Sequence, residues 1–195
     1  IASYGDIYGK SIKFKNLPEN LIDAVIVTED KRFFKHNGVD LKGVLRAIYV
    51  NFKEGRIVQG GSTITQQLAK NLFLSPERSY TRKLHELILS LWLELRFTKK
   101  QILSIYLNRV YLGSGTYGVQ AASEKYFNKK VEDLNLYECA VIASLLKAPS
   151  RYNPIANKEL SKKRASLVLE NMAKNNLIST NKVNEAKYNS QKFSK

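Results

Sequence analysis

Two glutamates, Glu29 and Glu86, and a set of cations around the second are the side chains best placed by type and spacing to do chemistry. Glu29 ends an apolar helical stretch, is followed directly by Asp30, and has Phe33 and Phe34 close behind. The negative end of a helix dipole, a neighbouring carboxylate and partial burial against aromatics all favour the protonated form of a carboxyl group. That environment suits a general base working near neutral pH. Glu86 lies one turn beyond Arg82 and Lys83, which favour its ionised form. Two carboxylates in contrasting surroundings suggest divided acid–base roles. Taken singly, Glu86 also reads as a surface i, i+4 partner of Arg82, and Glu29–Asp30 as a solvated helix end.

The second constellation is Gly60-Gly61-Ser62-Thr63-Ile64-Thr65-Gln66-Gln67-Leu68-Ala69-Lys70-Asn71. Two glycines permit a tight turn. Thr63 with Gln66 three residues on is a capping box, so a helix starts there. Ile64, Leu68 and Leu72 form its apolar stripe, while Thr63, Gln67, Lys70 and Asn71 share another face. A glycine turn entering a helix presents free N–H groups to an anion, and Gln67 and Lys70 add donors nearby. Alone, the pattern is that of any capped surface helix. His36 and His85, the two histidines, lack metal spacing, and no Ser-His-Asp pattern is present. Cys139, the single cysteine, lies in the apolar run Cys139–Ile142 and reads as a buried small hydrophobe, with no disulfide or cysteine zinc site possible within the chain.

These groups need elements to hold them. Pro18 and Glu19 open a helix whose stretch Leu21–Val27 is apolar nearly all round, hence buried. Asp40 is placed to cap the next helix, in which Leu41, Val44, Leu45, Ile48, Tyr49 and Phe52 recur at helical spacing and Gly55 closes the segment. Lys42, Arg46, Lys53 and Arg56 flank that stripe, so it either packs on the core or dips into an anionic membrane surface. Ser75–Arg78 reads as a turn, and Ser79 caps a long helix to about Phe97. Its stretch Leu87–Leu95 is apolar almost all round and is expected to be the central core helix. Further helices start at Thr98, run Val119–Phe127 after the glycine loop 113–118, and run Leu136–Lys147 behind an Asn135–Glu138 capping box. Asn157–Lys174 and the weakly patterned Thr180–Gln191 complete a mainly α chain without visible β alternation.

With 195 residues the chain can build one full core or two small lobes. Its 32 Lys and Arg against 17 Asp and Glu give a net charge of +15, which favours anionic partners. No stretch reaches the roughly 18 apolar residues of a membrane span. The chain starts at Ile1 without a signal-peptide pattern and is read as an excised domain.

The strings Glu29–Gly38, Gly60–Asn71, Arg82-Lys83-Leu84-His85-Glu86 and Lys100–Asn108, in that order, resemble the peptidoglycan glycosyltransferase domain of class A penicillin-binding proteins and monofunctional transglycosylases. Gly113–Phe127 and Ala148–Pro154 match its later motifs, and the resemblance spans about Leu17–Asn176. It implies a lysozyme-like, two-lobed fold: a lead-in at 1–16, then one domain over 17–195, with a small membrane-facing lobe at about 39–59. It implies polymerisation of lipid II into β-1,4-linked glycan with release of undecaprenyl pyrophosphate. By matched position, Glu29 is the general base on the acceptor hydroxyl, and Glu86 assists at the donor side. Lys70, Arg78 and Lys83 bind the donor pyrophosphate. Ser62, Gln67 and Asn71 line the donor site, where the inhibitor moenomycin also binds. Tyr106, Asn108, Tyr152 and Asn153 are read as structural, Tyr106 and Asn108 bracing the central helix.

The resemblance further implies Mg or Mn shared with the pyrophosphate, work at the outer face of a bacterial cell membrane, and a transpeptidase domain or cell-wall synthesis proteins as partners. Nucleic acid is not among them. Two other readings remain: a lysozyme-like glycoside hydrolase, which needs no pyrophosphate-binding cations, and a non-enzymatic basic helical module binding membrane or nucleic acid, which would leave both glutamates without a task.

Overall fold

The computed structural model describes residues 7–56, 60–74 and 79–192. In chain order, strand β1 (Ile7–Tyr8) precedes helices α1 (Glu19–Glu29), α2 (Leu41–Lys53), α3 (Ile64–Phe73), α4 (Tyr80–Arg96) and α5 (Lys99–Arg109). Strand β2 (Thr116–Tyr117) is followed by α6 (Val119–Phe127), α7 (Leu136–Leu145), α8 (Lys158–Lys174) and α9 (Thr180–Lys192). The expected mainly α class holds. One short parallel pair accompanies the helices, β1 with β2, with Ile7 opposite Thr116 and Tyr8 opposite Tyr117. Two-residue strands are too short to show alternation in sequence. Helix starts were legible because side chains fix them. Thr63 and Gln66 exchange both capping-box bonds, as do Asn135 and Glu138, and Ser79 accepts from the Arg82 N–H. Thr98 and Gln101 form a third reciprocal pair at the start of α5, with bonds of 2.8 and 3.3 Å.

The chain divides into two compact units, one of residues 1–29 and 107–195 and the other of residues 30–106. In the first, α7 is the central helix: Glu138 to Leu145 are all buried, and α1, α6, α8 and α9 pack against it or each other. Leu21, Ala24, Val25 and Val27 bury α1 as its composition demanded. Asn108 holds the lead-in by accepting from Ile12 N at 2.8 Å and donating to Ile12 O at 2.9 Å. Gly118 has φ +84°, and a Cβ there would stand 2.6 Å from Asn108 O, so no other residue fits without displacement. Asn153 donates to Ser114 Oγ at 2.8 Å and accepts from Ile155 N and Ala156 N, which is the fold-holding role its position suggested.

In the second unit, α3 packs along α4. The expectation that α4 is the core helix is overturned. It buries Glu86, Ser90 and Leu93, while Leu84, Ile88, Leu91, Trp92 and Leu95 are exposed, Leu95 to 85%. One stripe at i, i+4, i+7 covers α3, and a helix apolar all round must leave the rest of its apolar surface outside that contact. The core reading of α2 also fails. Gly43 and Ala47 are its buried residues, and Leu41, Leu45, Ile48, Tyr49 and Phe52 stand exposed, Phe52 to 87%. Asp40 does occupy the N-cap position of α2, but its side chain makes no capping bond; Oδ1 lies 3.4 Å from Arg32 Nε instead. The 39–59 segment falls inside this second unit, with 57–59 outside the described residues.

Candidate active site

The turn before α3 is built differently from the expected glycine-driven reversal. Neither Gly60 nor Gly61 has a positive φ. Gly61 is small because a Cβ there would stand 3.2 Å from Val44 of α2, whereas Gly60 faces open space. What orients the helix entrance is the loop after α1. Asp30 is buried, and its Oδ2 accepts the Ile64 N–H at 3.1 Å. His36 Nε2 lies 3.0 Å from both Asp30 oxygens and donates to them. Thr63 Oγ1 donates to Gly38 O at 2.6 Å while accepting from Gln66 N at 3.1 Å. Gly38 has φ +80° and lies against the Ser90 backbone of α4, so the loop, α3 and α4 are tied at one place.

Ser62 is presented at that entrance, and Lys83 of α4 donates from Nζ to Ser62 Oγ at 3.0 Å and to Glu86 Oε2 at 2.7 Å. On the other side of the carboxylate, Arg82 Nε lies 3.2 Å from Glu86 Oε1. Glu86 is 4% exposed, so this is a buried carboxylate between two cations and not the solvated i, i+4 pair that spacing alone also allowed. The Lys83 side chain is half exposed, and with two cations on one anion the cluster keeps a surplus positive charge facing solvent. Such a surface accepts an anion carrying phosphate oxygens.

Of the predicted residues, the fold thus brings Ser62, Lys83 and Glu86 together. Gln67, on α3, has its Oε1 occupied by the Tyr106 hydroxyl at 2.9 Å. Tyr106 therefore braces α3, where the sequence reading had it bracing the central helix. Lys70 and Asn71 are exposed on the same helix. Glu29 is the last residue of α1 and is partly buried. The end of α1 is anchored inside its own unit, where Asn171 Nδ2 of α8 donates to Val27 O at 3.1 Å. Arg78 and the expected turn at Ser75–Arg78 lie outside the described residues.

Sequence reasoning missed two buried supports. Glu94 Oε1 accepts from Thr65 Oγ1 at 2.6 Å and from Lys99 Nζ at 2.7 Å, and that ammonium stands 4.4 Å from the Phe33 ring centroid. Glu94 and Lys99 sit on two helices either side of a break, so no helical spacing rule pairs them. Asp30 and His36 are likewise joined by a loop conformation, for which no spacing signal exists.

Comparison with known proteins adds to this geometry. The family model described as "Transglycosylase" matches residues 1–173. The chain is 48% identical to penicillin-binding protein 1A of Aquifex aeolicus over 175 residues, 90% of this chain and 24% of that protein. It is 45% identical to penicillin-binding protein 1A of Pseudomonas aeruginosa over 174 residues, 89% of this chain and 21% of that one. Among solved structures, that of penicillin-binding protein 1A from Haemophilus influenzae covers 95% of this chain at TM-score 0.57 and 26% identity, using 18% of its own length. The chain spans about a quarter of the length of the curated relatives it matches.

Proposed function

Because this chain belongs to the transglycosylase family, we propose that it is a peptidoglycan glycosyltransferase that polymerises lipid II. The observation that carries the reading is the Ser62–Lys83–Glu86–Arg82 cluster, a preorganised cationic surface fixed on a buried carboxylate. A pyrophosphate leaving group gains negative charge as its bond to sugar breaks, and cations fixed beforehand stabilise that charge without reorganising. Lys83 is held ready by Glu86 and Ser62; Lys70 and Arg78 are assigned to the same leaving group, and Ser62, Gln67 and Asn71 to the lining of the donor site. In this scheme Glu29 takes the proton from the 4-hydroxyl of the acceptor GlcNAc. That oxygen bonds to the anomeric carbon of the donor MurNAc, and the bond from that carbon to undecaprenyl pyrophosphate breaks. The product is a β-1,4 linkage with inversion at the anomeric carbon. Glu86 acts on the donor side by holding Lys83 in place.

Among the described residues no three His, Cys, Asp or Glu side chains cluster, and Glu86 is already met by two cations. These residues do not fit a dedicated divalent-cation cage, so Mg or Mn would arrive with the pyrophosphate oxygens and no step is routed through it. The exposed apolar stripe of α2, flanked by Lys42, Arg46 and Lys53, is assigned to a membrane surface, which suits two substrates with polyprenyl tails. Among the described residues no helix is long and apolar enough to cross a membrane. We place the chain at the outer face of a bacterial cell membrane, joined to a transpeptidase domain or other cell-wall synthesis partners in its full setting.

The test is incubation with labelled lipid II in detergent and a divalent salt, with and without moenomycin. A moenomycin-sensitive ladder of glycan chains is expected, and Glu29→Gln should abolish the ladder while moenomycin still binds. Reducing sugar released from finished peptidoglycan, with no ladder, would replace the reading by a hydrolase; ladder formation by Glu29→Gln would remove that residue as the base.

A further inference from the structure

Tyr106 of α5 reads in sequence as a structural residue, yet its hydroxyl ends on a residue assigned to the donor site. Its side chain is 0% exposed, and the phenolic oxygen donates to Gln67 Oε1 of α3 at 2.9 Å, both residues lying in the second unit. We propose that Tyr106 is a positioning residue for the donor site. It fixes the side-chain amide of Gln67 so that N–H groups, and not the carbonyl oxygen, are offered to the donor pyrophosphate. The inference rests on the assignment of Gln67 to that site and goes beyond it by naming the group that sets how Gln67 meets its ligand.

A glutamine amide has two unlike ends, an oxygen that accepts and a nitrogen that donates two protons, and a half-turn about its last side-chain bond exchanges them. The terminal torsion is soft, so the amide itself selects neither end. An ionised pyrophosphate has acceptor oxygens only. Which end of the amide meets it therefore decides whether the contact attracts or repels. A phenol has one proton to give. By giving it to Oε1, Tyr106 holds the oxygen on the buried side, and Nε2 is turned away from that interior. Gln67 shares its helix face with Lys70 and Asn71, which are exposed, so the amide adds its donors to a face that already carries a cation.

The hydroxyl is not needed to hold α3 in place. Asp30 Oδ2 accepts from Ile64 N, Thr63 Oγ1 donates to Gly38 O, and Thr65 Oγ1 donates to Glu94 Oε1 at 2.6 Å. Leu68 and Ala69 are fully buried on the same helix. With these ties made, what the Tyr106 proton adds is the orientation of one side chain.

The test is moenomycin binding by calorimetry with the whole chain. Tyr106→Phe keeps the ring and removes the donor. Affinity should fall about three- to tenfold, because the amide then turns over and samples other rotamers, and the fraction in the binding orientation drops. In a Gln67→Met background the same change should alter affinity by less than about twofold, since no amide is left to orient. Backbone amide exchange at Leu68 and Ala69 should match that of the unmodified chain, whereas a purely bracing role would speed it. Where Tyr106→Phe impairs folding, the unmodified protein answers: the side-chain ¹⁵N signal of Gln67, identified against Gln67→Met, should shift when moenomycin is added. Unchanged affinity in Tyr106→Phe, an equal loss in both backgrounds, a loss accompanied by faster exchange along α3, or a Gln67 signal that ignores moenomycin would each overturn the proposal. Failure of the unmodified chain to bind moenomycin would overturn the donor-site reading and this inference with it. Binding without coupling between Tyr106 and Gln67 would overturn this inference alone.

Discussion

Asp30 joins the loop after α1 to the start of α3, and its removal should therefore loosen the helix that presents Ser62. Its side chain is 3% exposed and serves two donors, Ile64 N at 3.1 Å and His36 Nε2 at 3.0 Å. Asp30→Ala leaves both without an acceptor in a dry place. At about 1–3 kcal/mol for each unmet group, the loss is about 2–6 kcal/mol, centred near 4. Asp30→Asn keeps one carbonyl oxygen for Ile64 N, and its amide can donate to His36 in the other tautomer. It loses only the charge assistance, about 1 kcal/mol. The two substitutions should thus differ by about 3 kcal/mol although both remove the charge. Trp92, the one tryptophan, packs edge-on to Phe73 with centroids 6.4 Å apart and reports on α3 and α4 in urea titrations. Amide exchange at Ile64 gives a local check. Equal destabilisation by Ala and Asn, or unchanged Ile64 exchange in Asp30→Ala, would refute the argument that this carboxylate holds the helix entrance.

Three further outcomes follow from single sites. Lys83→Ala should weaken moenomycin binding about ten- to a hundredfold by calorimetry, the worth of one charge-assisted hydrogen bond to phosphate; an unchanged affinity would remove Lys83 from the pyrophosphate site. Gly118→Ala should destabilise by about 1–3 kcal/mol in thermal unfolding, because it needs a positive φ and meets Asn108 O; a neutral outcome would mean that the 113–118 loop yields freely. Burial pushes the Cys139 thiol up from 9.0 to about 12, so it should resist alkylation at pH 8 until denaturant is added. A raised folded-state value stabilises fully below about pH 9 and is lost as pH climbs toward about 12, so Cys139→Ala should flatten the alkaline loss of stability over that window.

Much of the fold was legible because helix starts are local. Thr63 and Gln66, Asn135 and Glu138, and Ser79 act on N–H groups three residues away, and that distance is written in sequence. Asp40 shows the limit of the same rule: it stands at the N-cap, yet Arg32, eight residues back, takes its carboxylate. The cations expected near Glu86 were legible for the same local reason, since Arg82 and Lys83 lie one turn away. What could not be read was how deeply Glu86 is buried, or that Ser62 meets Lys83 across two helices. Asp30, His36, Glu94 and Tyr106 carry no spacing signal at all, because each acts through a loop or across helices whose packing is decided elsewhere.

The misreading of α4 is the most instructive. Its sequence offers apolar residues on every side, and burial was inferred from that surplus. In the fold the stripe turned inward holds two polar residues, Glu86 and Ser90, with Leu93, while Leu84, Ile88, Leu91, Trp92 and Leu95 face outward. Polar groups tolerate that position because each is satisfied: Glu86 by Lys83 and Arg82, and Ser90 by donating to Leu87 O at 2.7 Å. A surface helix that carries only structure has the opposite arrangement, apolar inward and polar outward. Turning α4 over would bury more apolar area but would leave Lys83 without its buried partner and Ser62 without Lys83. The orientation of α4 is therefore explained by the cluster it builds and not by the apolar area it hides, which is why a count of its apolar residues pointed to the wrong face.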